Sequence, residues 1–113
     1  MQREVRKYLF DIATAISAIE EFTAGRSLEE YEQDLMLRSA VERQFSIIGE
    51  ATARVGQRDP DLAARIGDYR AIIDFRNVLV HEYQRVRDAT VWGVVQDGLP
   101  GLRRDIEALL TEE

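Results

Sequence analysis

Val5-Arg6-Lys7-Tyr8-Leu9-Phe10-Asp11-Ile12-Ala13-Thr14-Ala15-Ile16-Ser17-Ala18-Ile19-Glu20-Glu21-Phe22 decides the fold class, because Val5, Tyr8, Leu9, Ile12, Ile16, Ile19 and Phe22 recur at steps of three and four. That spacing gives a helix one apolar face. Gly25 follows as a C′ stop, since glycine accepts the left-handed conformation that ends many helices. Ser27 and Glu30 then form a capping box for the next helix. Its apolar positions Leu28, Tyr31, Leu35, Val41, Phe45, Ile48 and Val55 keep the period to Gly56. One uninterrupted helix of that length would span roughly 40 Å at 1.5 Å per residue.

The rest of the chain repeats the theme. Asp59-Pro60 reads as an N-cap followed by a proline at the first helical position, opening a short helix over about Pro60 to Ile66. Gly67 breaks it. A further helix begins near Tyr69 and carries Ile72, Ile73, Phe75, Val78, Leu79 and Val80. Asp88 is expected to cap the last helix, with Val91, Val94, Val95, Leu99, Leu102, Ile106 and Leu109 or Leu110 on its core side. Pro100 lies inside it and should kink it near Gln96 or Asp97, where the missing amide leaves a carbonyl unpaired. No alternating strand pattern, internal repeat or low-complexity segment competes. The sequence predicts an all-α, up-and-down four-helix bundle with an extra short helix, formed as a single domain over residues 1–113.

Composition removes several function classes. The 113 residues contain no cysteine and one histidine, which excludes disulfides, thiolate zinc sites, cysteine nucleophiles and any multi-histidine metal site built by one chain. No cofactor is expected. No apolar run approaches the roughly 20 residues of a membrane span, and the charged start does not resemble a signal peptide, so a soluble, cytoplasmic protein is expected. The net charge of −6 argues against a surface that coats nucleic acid. Residues 70–87 nevertheless carry a formal +2, from Arg70, Arg76, Arg85 and Arg87 against Asp74 and Glu82. Lys7 is the only lysine; arginine can fork onto a phosphate in a way that lysine cannot.

Phe75-Arg76-Asn77-Val78-Leu79-Val80-His81-Glu82-Tyr83 carries the chemistry. Polar, reactive side chains interrupt an apolar helix there, at a cost unless each is paired or faces a cleft. Asn77 and His81 lie one turn apart on one face, as Arg76 and Tyr83 do over two turns. Arg76 and His81 differ by about 140° around an ideal helix, so they converge only if the helix ends near His81 or a second copy contributes. From residue types alone the alternatives stay open. His81 could be a helix-terminal cap compatible with the dipole, and Arg76 half of an ion pair with Asp74 or Glu82.

The run Arg76-x-x-x-x-His81-x-Tyr83, with Asn77 after the arginine, resembles the signature of the HEPN superfamily, in particular its HepT-like branch. Val41-Glu42-Arg43-Gln44-Phe45-Ser46-Ile47-Ile48-Gly49-Glu50-Ala51 and the Val91-Trp92 opening of the last helix are similar to the same branch, so the likeness covers nearly the whole chain. The resemblance implies a HEPN-like bundle that dimerises and sets paired motifs in a cleft between protomers. It implies a metal-independent endoribonuclease, the toxin of a toxin–antitoxin pair whose antitoxin is a nucleotidyltransferase of the MNT type. Arg76 and His81 would be the catalytic pair, Asn77 the polar residue supporting the motif, and Tyr83 the site where the partner attaches adenylate. The excess of apolar positions on three of the helices also favours a homodimer.

The chemistry needs no metal. Cleavage of RNA through its own 2′-hydroxyl needs a group that exchanges protons near neutrality, which histidine supplies, and fixed positive charge at the phosphorane-like transition state, which arginine supplies. Two readings compete with the ribonuclease: a non-catalytic module that binds a nucleotide or scaffolds a nucleotidyltransferase, and a purely structural bundle. Around the motif, Arg70, Arg85 and Arg87 are candidate RNA phosphate contacts or plain surface charge. Glu50 is a partner for a motif arginine or for Arg54 one turn on. Trp92 is a packing residue before it is a base-stacking one. Glu82 could orient His81 or weaken RNA binding.

Overall fold

The computed structural model describes residues 1–112 and is all-α, with no strand among them. Helix α1 spans Arg3–Thr23, α2 Leu28–Gln33, α3 Leu35–Arg58, α4 Pro60–Ala63 and α5 Tyr69–His81; α6 spans Asp88–Gly93 and α7 Leu99–Thr111. A 3₁₀ turn, Tyr83–Arg85, follows α5, and a π-helical turn, Val94–Gly98, joins α6 to α7. The long elements α1, α3, α5 and the α6–α7 arm form the bundle. Helix α3 packs against α1 on one side and α5 on the other, while α7 closes on α1. None of these helices is long and apolar enough to cross a membrane.

The expected first face is realised: Val5, Leu9, Ile12, Ile16 and Ile19 are fully buried. They meet Val41, Phe45, Ile48 and Val55 of α3 and Val91, Val95, Leu99, Leu102, Ile106 and Leu109 of the C-terminal arm in one core. Phe22 departs from the pattern and is exposed, because it lies near the end of α1, which stops at Thr23. Leu109, not Leu110, is the buried member of the last pair.

Two helices take the place of the single long one expected over residues 28–56. Asp34 adopts an extended backbone (φ −115°, ψ 95°), ends α2, and accepts the Leu37 amide at 3.0 Å to cap α3. Arg26 holds the same carboxylate at 2.9 Å. These two bonds, the backbone one first, keep the Asp34 carboxyl below its ordinary range. The break has a function in packing. It turns Tyr31 into the core, where its ring meets Trp92 of α6 with centroids 5.3 Å apart. Trp92 is thus a packing residue. The Ser27–Glu30 capping box is present, with reciprocal bonds of 3.2 and 3.0 Å, and Gly25 takes φ +71°.

Asp59 accepts the Leu62 amide at 3.1 Å and Pro60 opens α4, which ends earlier than expected, at Ala63. The chain then reverses through Asp68 at φ 54°, a left-handed conformation that aspartate tolerates better than most residues. In the C-terminal arm, Asp88 is the first helical residue and not the cap; Arg87 holds that position without a side-chain bond. As a first-turn residue Asp88 still complements the helix dipole. The disturbance expected near Gln96 takes the form of the π turn Val94–Gly98, directly before Pro100. A wider turn is one way to absorb the amide that proline lacks.

Candidate active site

Helix α5 reaches the site by an unusually close crossing over α3. A Cβ built on Gly49 would stand 2.1 Å from Cβ and 2.6 Å from Cγ of Arg76, and 3.3 Å from the Ile72 carbonyl oxygen. No side chain fits there. Glycine inside a helix costs roughly 1 kcal/mol relative to alanine, and here that cost lets the stem of Arg76 lie on the backbone of α3. Phe75 anchors the same crossing, meeting Phe45 edge-on with centroids 5.3 Å apart.

From that seat the Arg76 guanidinium is fixed on two sides. One terminal nitrogen pairs with Glu50 Oε2 at 3.0 Å, and the other donates to Asn77 Oδ1 at 2.9 Å. The second Glu50 oxygen accepts from Arg54 Nε at 3.1 Å, so this carboxylate bridges two arginines, satisfying both partners the sequence offered for it. Asp74 and Glu82 are not Arg76's partners. Arg76 Nε is buried without a hydrogen-bond partner. Unmatched donors of this kind are costly, and this one belongs to a side chain lining a cleft of about 590 Å³ between α1, α3 and α5. Tyr8 and Asp11 of α1, Arg43, Ile47, Glu50 and Arg54 of α3, and Val80 of α5 line the same space.

The motif residues are not all gathered in that cleft. Helix α5 does end at His81, as convergence with Arg76 requires. Yet the His81 side chain is exposed, lies outside the cleft lining and has no hydrogen bond to Arg76. Tyr83, two residues on at the start of the 3₁₀ turn, is 76% exposed, which leaves its ring open to solvent. Glu82 neither orients His81 nor stands free; it accepts from Arg85 at 2.6 Å. Arg70 lies over the Tyr69 ring at 5.4 Å and Arg87 is the residue before α6. None of Arg70, Arg85 and Arg87 lines the cleft.

Gly49, Arg43, Tyr8 and Asp11 are site residues that the sequence reading did not single out. Two signals could have found Gly49 and Arg43. A glycine in the middle of an otherwise apolar helical face marks a close approach. Arg43, Glu50 and Arg54 are spaced by seven and four, which puts them on one stripe of α3. Among the described residues no three potential metal ligands come together.

The order and packing of these helices define the class of the fold: an all-α, HEPN-like helical domain. The chain belongs to the HepT-like ribonuclease family, whose model, "Ribonuclease HepT-like", matches residues 12–109. It is similar to a protein of Thermococcus cleftensis named "Probable ribonuclease HepT", 35% identical over 109 residues that cover 96% of this chain and 98% of the relative. An RNase-named protein of Methanocaldococcus jannaschii is 26% identical over 106 residues, covering 94% of this chain and 96% of its own. Another, from Caldanaerobacter subterraneus, is 27% identical over 108 residues, covering 96% of each chain. No solved structure matches this chain.

Proposed function

We propose that this protein is a metal-independent endoribonuclease, the toxin of a toxin–antitoxin pair, acting in the cytoplasm as a homodimer. The observation that carries the reading is Arg76, held by Glu50 and Asn77 at the edge of a cleft with its Nε buried and unsatisfied. A guanidinium fixed in this way has paid its ordering entropy before substrate arrives, and can fork onto a phosphate. In the reaction the RNA 2′-oxygen attacks phosphorus and the P–O5′ bond breaks. His81 of one protomer takes the 2′-hydroxyl proton, His81 of the other supplies a proton to the 5′-oxygen, and Arg76 balances the charge of the phosphorane. Asn77 keeps the guanidinium in register.

Dimerisation supplies what one protomer lacks, since His81 stands about 140° around the helix from Arg76. Support comes from α5 itself. Only Leu79 among its apolar residues is buried, so the helix is not sheltered at the bundle centre. Such a face is covered when a second copy packs on it. Arg70, Arg85 and Arg87 would meet phosphates farther along the RNA. The exposed Tyr83 is the residue on which an MNT-type nucleotidyltransferase partner would place adenylate; the added phosphate would repel RNA beside His81.

The position of His81 outside the cleft favours one alternative, a non-catalytic module that scaffolds the nucleotidyltransferase. Induced expression of wild type, Arg76→Ala and His81→Ala at matched folded levels, followed by RNA cleavage in vitro, separates the two. Growth arrest and cleavage by the wild type alone support the ribonuclease. Three equally harmless, dimeric proteins would leave the scaffold as the function.

A further inference from the structure

We infer that the cleft beside Arg76 is a subsite for one nucleotide of single-stranded RNA, with Arg43 binding its phosphate and Tyr8 stacking on its base. The inference rests on the ribonuclease reading and extends it to residues outside the motif. Arg43 lies two turns before Glu50 on the same stripe of α3, about 10 Å along the axis at 1.5 Å per residue. It is exposed, and no described carboxylate pairs with it, whereas Arg54 and Arg76 both share Glu50. An exposed guanidinium with no paired carboxylate therefore lines the same space as the motif arginine.

The remaining wall has the other half of the required chemistry. Tyr8 of α1 is half-buried and lines the cleft with Ile47 and Val80. Sites for single-stranded nucleic acid combine arginines that track phosphates with aromatic faces that stack bases, and tolerate sequence because every base has a π-face. The cleft volume, about 590 Å³, falls within the roughly 300–1,000 Å³ of small-molecule sites. Asp11 and Glu50, the acidic residues of the lining, set a limit: they disfavour a second phosphate close by, so a single nucleotide is the fitting occupant.

The test measures binding of a fully 2′-O-methylated single-stranded oligoribonucleotide, which cannot be cleaved through a 2′-hydroxyl, to the full chain as a function of salt. Arg43→Gln should weaken binding about five- to tenfold and reduce the slope of log affinity against log salt by about 0.7, the value for one phosphate contact on a single strand. Tyr8→Leu, which keeps apolar bulk, should weaken binding at least about fivefold with the slope unchanged, as loss of one stacked base requires. Arg3→Gln and Arg104→Gln, outside the cleft, control for net charge. Equal losses in the controls, or an Arg43→Gln protein with wild-type affinity and slope, would overturn the subsite. If wild type still cleaves RNA and His81→Ala does not, the ribonuclease reading survives that result. A wild type that neither binds nor cleaves RNA ends both. Should Tyr8→Leu fail to fold, Arg43→Gln, an exposed change, decides the matter alone.

Discussion

Replacing Gly49 with alanine tests the central geometric claim, that the α3–α5 crossing seats Arg76. The new methyl carbon would stand 2.1 Å from Arg76 Cβ, about 1.3 Å short of the 3.4 Å at which ordinary contact begins. Arg76 Cβ is bonded to the backbone and cannot swing aside, so α5 must move or rotate as a body. Overpacking of this kind costs about 1–3 kcal/mol, and the better helix propensity of alanine returns about 1 kcal/mol. A net loss of about 0–2 kcal/mol is expected, a fall in Tm of several degrees for a domain of this size. The larger effect falls on function, because a displacement of about 1 Å at a reacting centre can cost roughly 10²-fold. Thermal melting and RNA cleavage kinetics on one preparation read both, and kcat should fall far more than the folded fraction. A double variant with Arg76→Ala adds the decisive arm: if Gly49 acts through Arg76, it should cleave no worse than Arg76→Ala. A Gly49→Ala protein with wild-type Tm and wild-type kcat would refute the crossing argument.

Other expectations follow from single features. Glu50→Gln removes the charge that occupies Arg76 in the free protein, so RNA affinity should rise severalfold, while kcat falls if Glu50 also orients the guanidinium; binding and turnover measured separately resolve the two. Burial first, then the neighbouring Asp88, push the Glu42 carboxyl above its ordinary range against the opposing pull of Arg38. A carboxylate raised in the folded state penalises folding once pH exceeds its unfolded pKa, so Glu42→Gln should raise Tm near neutrality, with the gain vanishing as pH falls below about 4. Ile106→Val, in the fully buried core, should cost about 0.5–1.5 kcal/mol by urea titration and leave cleavage intact. Tyr83→Phe, at an exposed side chain, should retain nuclease activity and lose adenylylation, read as a missing mass increment after incubation with the partner enzyme and ATP.

Most of the fold was legible because local signals and core burial agree. The period of α1, the capping box at Ser27, the stop at Gly25 and the turn at Asp59-Pro60 are each satisfied by the residues that signalled them. The reading failed where a tertiary bond won over periodicity. Asp34 sits inside an apolar repeat that runs on without a break, and only the Arg26 side chain and the need to bury Tyr31 against Trp92 make it a cap. Pro100 announced a disturbance but not its form, since a kink and a π turn both answer a missing amide. At the site, the sequence offered Glu50 as a partner for a motif arginine and the two are paired, yet a helix-wheel cannot show which neighbouring helix comes near. Tyr8 and Asp11 joined the site only once α1, α3 and α5 were in place.

Several costs in this molecule meet at one crossing. Gly49 sacrifices helix propensity, Arg76 buries an unsatisfied Nε, and α5 leaves apolar residues half-exposed around its polar interruption. Each cost alone has a bland account: a tight crossing, an imperfect pairing, a small bundle with too little core. Buried groups without partners also occur at Arg26 Nε and the Tyr31 hydroxyl, but at Arg76 one coincides with a crossing that only glycine permits and with a cleft. Arg76→Leu would remove the unsatisfied donor, whereas an alanine at 49 would still meet the Cβ of any residue at 76 but glycine. A chain under selection for stability alone has no reason to keep the arginine, because Glu50 is already paired with Arg54. Proteins break local rules mainly where function demands it. That coincidence at Arg76 is what supports the role proposed for this position.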